Sequence, residues 1–196
     1  MVENLSLRDG GTIYYDAAFF DKEAADVLFV RLRRDTPWKQ EVGRGRPFPR
    51  LTAWYADPGL IYRYSGVTHH SAEWTPALRE VKRRIEEASG AAFNSLLLNL
   101  YRDGKDSIGF HTDAEPELGP NPVVASVSFG AVRDFVLKHK SAREKLTFRL
   151  AHGSLLVMGG TCQHYWLHGV PKTEREVGER INLTFRKILP AGQAGG

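Results

Sequence analysis

Three short strings hold the residues with chemistry to offer. In His111-Thr112-Asp113 an imidazole and a carboxylate stand two apart, and in extended backbone such residues point to the same side, so both can face one ion. A third ligand must come from elsewhere. His168, also among strand-like residues and near the end of the chain, is the best candidate. Two histidines and one carboxylate make the facial set that leaves open positions on non-haem Fe(II) for a co-substrate and oxygen. The same set could hold Zn(II) and activate water, and a His-x-Asp pair also arises among surface or hydrogen-bonded core groups. The second string, Arg180-Ile181-Asn182-Leu183-Thr184-Phe185-Arg186, alternates without a fault. Its polar residues, Arg180, Asn182, Thr184 and Arg186, share one face of a strand, either the wet face of a sheet or a barrel lining whose guanidinium groups clamp a small dicarboxylate. The third is Asn99 and Tyr101, opposite Leu98 and Leu100, with polar tips that could reach the same ligand.

These groups need a scaffold. Asp21 is a plausible N-cap for a helix with Ala25, Leu28, Phe29 and Leu32 at helical spacing. Thr75-Pro76 opens a second, with Leu78, Val81, Ile85 and Ala88 on one stripe and Gly90 past its end. From Phe93 onward short β-rich runs follow one another: Leu96–Tyr101, Val123–Phe129, Asp134–His139, Thr147–Leu150, Ser154–Met158, Tyr165–Val170 and Arg180–Lys187, separated by turn residues. The expected class is α+β, with N-terminal helices packed on a double-sheet jelly-roll core. No repeat or linker divides residues 1–190, which are expected to form a single domain, and 191–196 read as a disordered tail.

The 196 residues can bury a core without staples. The single cysteine, Cys162, excludes an internal disulfide framework and fits a small buried residue in a reducing compartment. No apolar run approaches the ~18 residues of a membrane span, and Met1 to Asp9 has no apolar segment of a secretory signal. An intracellular protein is expected, cytoplasmic if bacterial. The net charge of +4 averages over two basic segments. Residues 31–50 hold seven basic groups against two acids, and 133–149 hold six against two. Such segments are either solvated faces or contacts to phosphates.

The order Asn-x-Tyr, His-x-Asp, His, Arg-x-Asn-x-Thr-x-Arg, within NLYRDGKDSIGFHTDAEPELGPNPVVASVSFG, HGSLLVMGGTCQHYWLHGVPK and RINLTFR, resembles the AlkB family of Fe(II)- and 2-oxoglutarate-dependent dioxygenases. It looks most like the branch that repairs alkylated DNA, duplex DNA included. The resemblance runs from about Gly10 to Ile188. It implies a double-stranded β-helix with a nucleotide-recognition part over 10–92 and a catalytic core over 93–188. It further implies Fe(II) on His111, Asp113 and His168, with 2-oxoglutarate and O2 as co-substrates. Arg180 would pair with the distal carboxylate of 2-oxoglutarate and Arg186 would sit near the metal end. Asn99, Tyr101, Asn182 and Thr184 would complete the lining. The implied reaction is oxidative dealkylation of N-alkylated bases such as 1-methyladenine and 3-methylcytosine in DNA, with 2-oxoglutarate decarboxylated to succinate and formaldehyde released. The family flips its target base out of the stack. Tyr64 would stack on it with Tyr62 and Ser65 beside, Glu115 would contact its exocyclic edge, and Val42 and Arg50 would complete the substrate contacts. A monomer acting on single- or double-stranded DNA is expected, with no membrane partner and with RNA, or another methylated substrate, as the alternative.

The chain departs from that pattern in two places. Where the duplex-repairing branch has an aromatic wedge followed by Gly and a basic residue, this sequence has Val42-Gly43-Arg44, a smaller and aliphatic wedge. Ala56 stands where the family usually has Gly. Of the other notable residues, His164 and Trp166 would share a strand face with His168, able to orient it or exclude water. His69 and His70 read as loop residues, and His139 and His152 as strand or turn residues. A non-catalytic nucleic-acid-binding module using the basic segments is the rival outside enzymology.

Overall fold

The structure, a computed structural model, describes residues 2–43, 45–64, 67–70 and 72–189, with 61–64 and 67–70 described by backbone alone. Ser65 and the tail 191–196 lie outside the described residues. The chain begins with strands, not helices. β1 (Val2–Ser6) and β2 (Gly11–Asp16) form a hairpin, followed by α1 (Lys22–Asp35), the short pair β3 (Val42–Gly43) and β4 (Arg46–Pro47), β5 (Leu51–Ala56), the pair β6 (Ile61–Tyr64) and β7 (Val67–His70), and α2 (Pro76–Ser89). The strands β8 (Ser95–Tyr101), β9 (Ile108–His111), β10 (Val124–Gly130), β11 (Arg133–His139), β12 (Lys145–Leu150) and β13 (Ser154–Gly160) come next. A one-turn helix α3 (Cys162–Tyr165), β14 (Trp166–Val170) and β15 (Arg180–Arg186) complete the order.

Two antiparallel sheets face each other as a jelly roll with helices on it. The major sheet runs β1-β2-β13-β10-β15-β8-β5 and the minor sheet β12-β11-β14-β9. The major sheet thus recruits β1, β2 and β5 from the region before residue 93. Their strand character hides in sequence: β1 is exposed throughout, and β5 (LTAWYA) is nearly all buried, so neither alternates cleanly.

Period-two alternation assigns each strand's two faces. Leu96, Leu98 and Leu100 of β8, Ala125, Val127 and Phe129 of β10, Leu155 and Val157 of β13, and Ile181, Leu183 and Phe185 of β15 point outward into one apolar core. The helices seal it. α1 starts where Asp21 accepts the Ala24 N–H at 2.8 Å and buries Ala25 and Leu32. α2 starts where Thr75 accepts the Leu78 N–H at 3.2 Å and ends at Gly90, which takes the left-handed φ of 65° that glycine adopts without strain. Its buried residues are Leu78, Val81 and Ile85. Ala88 is exposed, because at 3.6 residues per turn it has drifted to the edge of that stripe. Truncating a core leucine such as Leu98 to Ala would cost about 2–5 kcal/mol.

The inner face of the major sheet meets the minor sheet. Toward β2 and β13 the contact is apolar, with Ile13, Tyr15, Leu156 and Met158 against Phe135, Leu137 and Trp166. Toward β8 and β15 the inner face turns polar while staying buried, and here the sheets enclose a cavity. Among the described residues no helix is long and apolar enough to cross a membrane.

Candidate active site

The cavity holds about 500 Å³ of space, mouth included, and its lining includes His111, Asp113, His168, Asn99, Tyr101, Arg180, Asn182, Thr184 and Arg186. Its first end is a cluster of three ligand-type side chains. His111 ends β9 and stands directly opposite His168 on β14, with ring centroids 4.4 Å apart. The strands come close because Gly169 follows His168: a Cβ there would lie 2.9 Å from the Ile108 carbonyl oxygen. Asp113 lies two residues beyond β9, buried to 1% exposure. One ligand atom from each of the three falls within 4.8 Å of the others.

In His111 and Asp113 the ligand atom is selected by what the rest of the group does. His111 Nδ1 lies 2.9 Å from the Gly109 carbonyl, which can only accept, so Nδ1 carries the proton and Nε2 the lone pair. Asp113 Oδ1 accepts from Arg186 Nη2 at 2.8 Å, while Oδ2 is buried without a hydrogen-bond donor and lies 3.7 Å from His168 Nε2. Burial alone would raise the Asp113 carboxyl, but Arg186, followed by the two histidines, outweighs it and holds the group down at about 2. Burial pushes the His168 imidazole down to about 3, against the pull of Asp113, so it stays neutral. Two imidazoles and an ionised carboxylate converge at one point, which fits a divalent transition metal with positions left open.

The other end is Arg180, fully buried at the start of β15. Its Nη2 donates to Ser128 Oγ at 2.9 Å and its guanidinium lies 5.1 Å from the Tyr101 ring centre, but Nε and Nη1 have no hydrogen-bond acceptor. Burial lowers its pKa from the ordinary value, yet an arginine does not deprotonate in a protein, so the site contains a buried cation short of an anion. A carboxylate received in bidentate fashion across Nη1 and Nη2 would give Nη1 its acceptor and the cation its counter-charge. Arg180 and Arg186 are six residues apart on one strand, roughly 20 Å at Cα. A short dicarboxylate held between the inward reach of their side chains suits the cavity.

Between the ends runs a buried polar network. Asn182 donates to Ser126 Oγ at 2.7 Å, and its Oδ1 accepts from Thr184 at 2.9 Å and from Asn99 at 3.5 Å. Asn99 Oδ1 in turn accepts from Arg50 Nε at 2.7 Å. Arg50, expected among the substrate contacts, is buried at 4% exposure and orients Asn99 from behind. The polar face of β15 is therefore a barrel lining and not a wet face. Ser126 and Ser128 escaped the sequence reading, although they alternate with Ala125, Val127 and Phe129 on β10 and were legible by that period.

Gln163 also escaped it. Fully buried on α3, it accepts the backbone N–H of Asp113 on Oε1 at 2.9 Å, and nothing in the pattern of its neighbours announces this. His164 does not share a strand face with His168, because residues 162–165 are helical; it is exposed and bonds Pro120 O and Asn121 Oδ1. Trp166 does share that face, and it is core, packed edge-on to His139 with its indole N–H 3.3 Å from the Arg8 carbonyl. His139 is a buried strand residue paired with Asp9 at 2.8 Å. His152, in the turn before β13, accepts the Gly130 N–H at 2.7 Å. Burial pushes the Cys162 thiol up to about 12, so no thiolate nucleophile is available there.

On the expected substrate side, Glu115 is half-buried with Oε2 shielded and without a partner, and burial raises its pKa, whereas Glu117 is exposed. Tyr62 and Tyr64 lie on β6, described by backbone only, and His69 and His70 lie on the paired strand β7, not in a loop. Val42 is 54% exposed on β3. The basic segments divide. In the first, Arg33 pairs with Glu179, Arg31 and Arg34 with Asp35, and Arg50 is inside. In the second, Arg133 is buried, donating to the carbonyls of Asp103, Asp106 and Pro171, while Lys138, Lys140, Arg143, Lys145 and Arg149 remain exposed.

Residues 12–186 match the family model described as the 2OG-Fe(II) oxygenase superfamily. The alpha-ketoglutarate-dependent dioxygenase alkB homolog 3 of Rattus norvegicus is 46% identical over 186 residues, covering 88% of this chain and 62% of the relative. The DNA oxidative demethylase ALKBH2 of Mus musculus is 42% identical over 186 residues, covering 87% of this chain and 78% of the relative. The chain spans about three fifths of the length of the first of these. The solved structure of OsALKBH1 shares the fold, with a TM-score of 0.66 at 16% identity over 94% of this chain and 100% of that one.

Proposed function

Because the chain belongs to the 2OG-Fe(II) oxygenase superfamily, we propose that it is an Fe(II)- and 2-oxoglutarate-dependent dioxygenase that dealkylates N-alkylated bases in DNA, such as 1-methyladenine and 3-methylcytosine. The observation that carries the reading is one cavity with two complementary demands. At one end are two imidazoles and an ionised carboxylate suited to Fe(II); at the other is the buried, under-satisfied Arg180, suited to a carboxylate. When bound, Fe(II) with 2-oxoglutarate supplies the oxidant that hydroxylates an alkyl carbon on nitrogen. The N–C bond of the hydroxymethyl group of a methylated base then breaks, its electron pair returns to the base nitrogen, the hydroxyl proton goes to solvent and formaldehyde leaves, while 2-oxoglutarate ends as succinate and carbon dioxide.

The chain's own residues bind and orient. His111, Asp113 and His168 would hold the metal. Arg180, with Tyr101 and Ser128, would receive the distal carboxylate, and the Asn99–Asn182–Thr184 network would line the body of the co-substrate. Arg186 would keep Asp113 ionised and oriented. Glu115, beside Asp113, would present its carboxyl to the exocyclic edge of a flipped base, and Tyr62 and Tyr64 would flank it. DNA as substrate is supported by the name of the ALKBH2 relative, a DNA oxidative demethylase, and by the exposed basic residues of β11, β12 and their connection. A nucleic-acid-binding module without catalysis leaves the His111–Asp113–His168 cluster and the buried arginine unexplained.

Val42 favours single strands within this reading. A valine presents less surface than an aromatic ring to fill the gap left by a flipped base, so intercalation into a duplex would gain less. The test is a panel of single- and double-stranded DNA and RNA, each with one methylated base, incubated with iron, 2-oxoglutarate and air. Base repair with formaldehyde on DNA supports the proposal. Repair confined to RNA would move the substrate assignment, and repair of none would refute it.

A further inference from the structure

The Asp113 peptide sits where regular structure has run out. β9 ends at His111 and the next element is a single 3-10 turn at Pro116–Leu118, so the Asp113 N–H lies beyond the sheet ladder. It is met by Gln163 Oε1 at 2.9 Å. Of the two ends of a carboxamide only the oxygen can accept a backbone N–H, so this contact fixes which way the Gln163 amide points. Its nitrogen end then faces Met158 Sδ at 3.7 Å, and Met158 lines the cavity. Gln163 is itself pinned, because its carbonyl accepts from Lys140 Nζ at 3.3 Å. Its neighbour His164 holds Pro120 and Asn121, at the far end of the loop that begins at Asp113. The one-turn helix α3 carrying both residues leads directly into β14, which begins two residues before His168.

We propose that Gln163 is a positioning residue of the metal centre: it fixes the peptide of Asp113 and so couples the carboxylate ligand to the strand that delivers His168. The inference rests on the iron-centre reading above and adds the part that orients it. A buried side chain that packed only for volume would not need its acceptor on a ligand's own backbone. Groups that orient metal ligands from behind typically change metal affinity about 10- to 100-fold when removed.

The test is titration of the full chain with Co(II) alone, read by visible absorption. Gln163→Met keeps the length of the side chain and removes the acceptor. It is expected to raise the Co(II) Kd about 10- to 100-fold and to shift the ligand-field bands. Gln163→Glu, which keeps an acceptor oxygen at the same reach, is expected to restore the band positions. Wild-type affinity and spectrum in Gln163→Met would overturn the inference. A second measurement needs neither variant nor metal. In the metal-free wild-type protein the Asp113 amide should be protected from hydrogen exchange by NMR, and exchange at the rate of an open loop would overturn the inference even if Gln163→Met fails to fold. Absence of any Co(II) binding by the wild-type protein would strike the iron-centre reading itself, leaving the amide measurement to decide the role of Gln163.

Discussion

Arg186 Nη2 and Asp113 Oδ1 are joined at 2.8 Å inside the protein, so one carboxylate oxygen is committed to a guanidinium while the other is turned toward His168. The ion pair does two things at once: it keeps Asp113 ionised despite its burial and it leaves a single oxygen for a metal.

Replacing Arg186 should therefore be felt first at the metal. Arg186→Met strands a buried carboxylate, raises its pKa from about 2, and is expected to weaken divalent-metal binding at least tenfold, increasingly so as pH falls. Arg186→Lys keeps the charge but loses the planar fork and should be intermediate. Calorimetric titration with Mn(II) at several pH values checks the order.

Arg180 should act on the co-substrate and not on the metal. Arg180→Met, which removes the buried cation, is expected to raise the KM for 2-oxoglutarate by at least tenfold while leaving metal affinity near that of the wild type. Arg50→Met should give a smaller rise, because Arg50 works through Asn99, together with about 1–3 kcal/mol of lost stability from the orphaned acceptor. Succinate production against 2-oxoglutarate concentration separates the two.

The pH dependence of the metal-free protein follows from two groups that act in the same direction. Asp113 is depressed to about 2 from 3.8, so its stabilisation is present above pH 3.8 and is lost as pH falls through 2. His168 is depressed to about 3 from 6.5, so the unfolded chain takes up a proton that the folded one refuses, and stability falls as pH drops from 6.5 toward 3. Denaturant unfolding of the metal-free protein should weaken through that window, and His168→Asn should flatten the slope. An equal slope in the variant would contradict the assignment of the buried neutral imidazole.

Val42→Phe should raise the ratio of duplex to single-strand repair by several fold if the β3–β4 hairpin approaches the duplex as a wedge. Repair rates on matched single- and double-stranded oligonucleotides measure it, and an unchanged ratio removes the wedge from the account.

The site was legible where alternation and spacing carry it. The faultless period of β15 separates Ile181, Leu183 and Phe185, which pack outward, from Arg180, Asn182, Thr184 and Arg186, which line the cavity. What sequence could not decide was whether that polar face was wet, since this depends on a second sheet lying over it. Strands without alternation, such as β1 and β5, were invisible for the same reason that they are stable: one has both faces exposed and is held by pairing with β2, and the other is buried nearly throughout. Charge was the least legible property. Arg50 and Arg133 count as basic surface in a sum, yet each spends its guanidinium on interior oxygens. Gln163 was missed because a contact fifty residues away leaves no local period.

The central claim is that one cavity couples the metal at His111, Asp113 and His168 to 2-oxoglutarate on Arg180 for dealkylation of a base. It is tested most directly by incubating a 3-methylcytosine oligodeoxynucleotide with the protein, Fe(II), 2-oxoglutarate and O2, and measuring repaired base, formaldehyde and succinate together. The account predicts that repaired base and formaldehyde form in equal amounts, that at least as much succinate accompanies them, and that His111→Ala abolishes all three. Repair that proceeds without 2-oxoglutarate, or that survives His111→Ala, would contradict it.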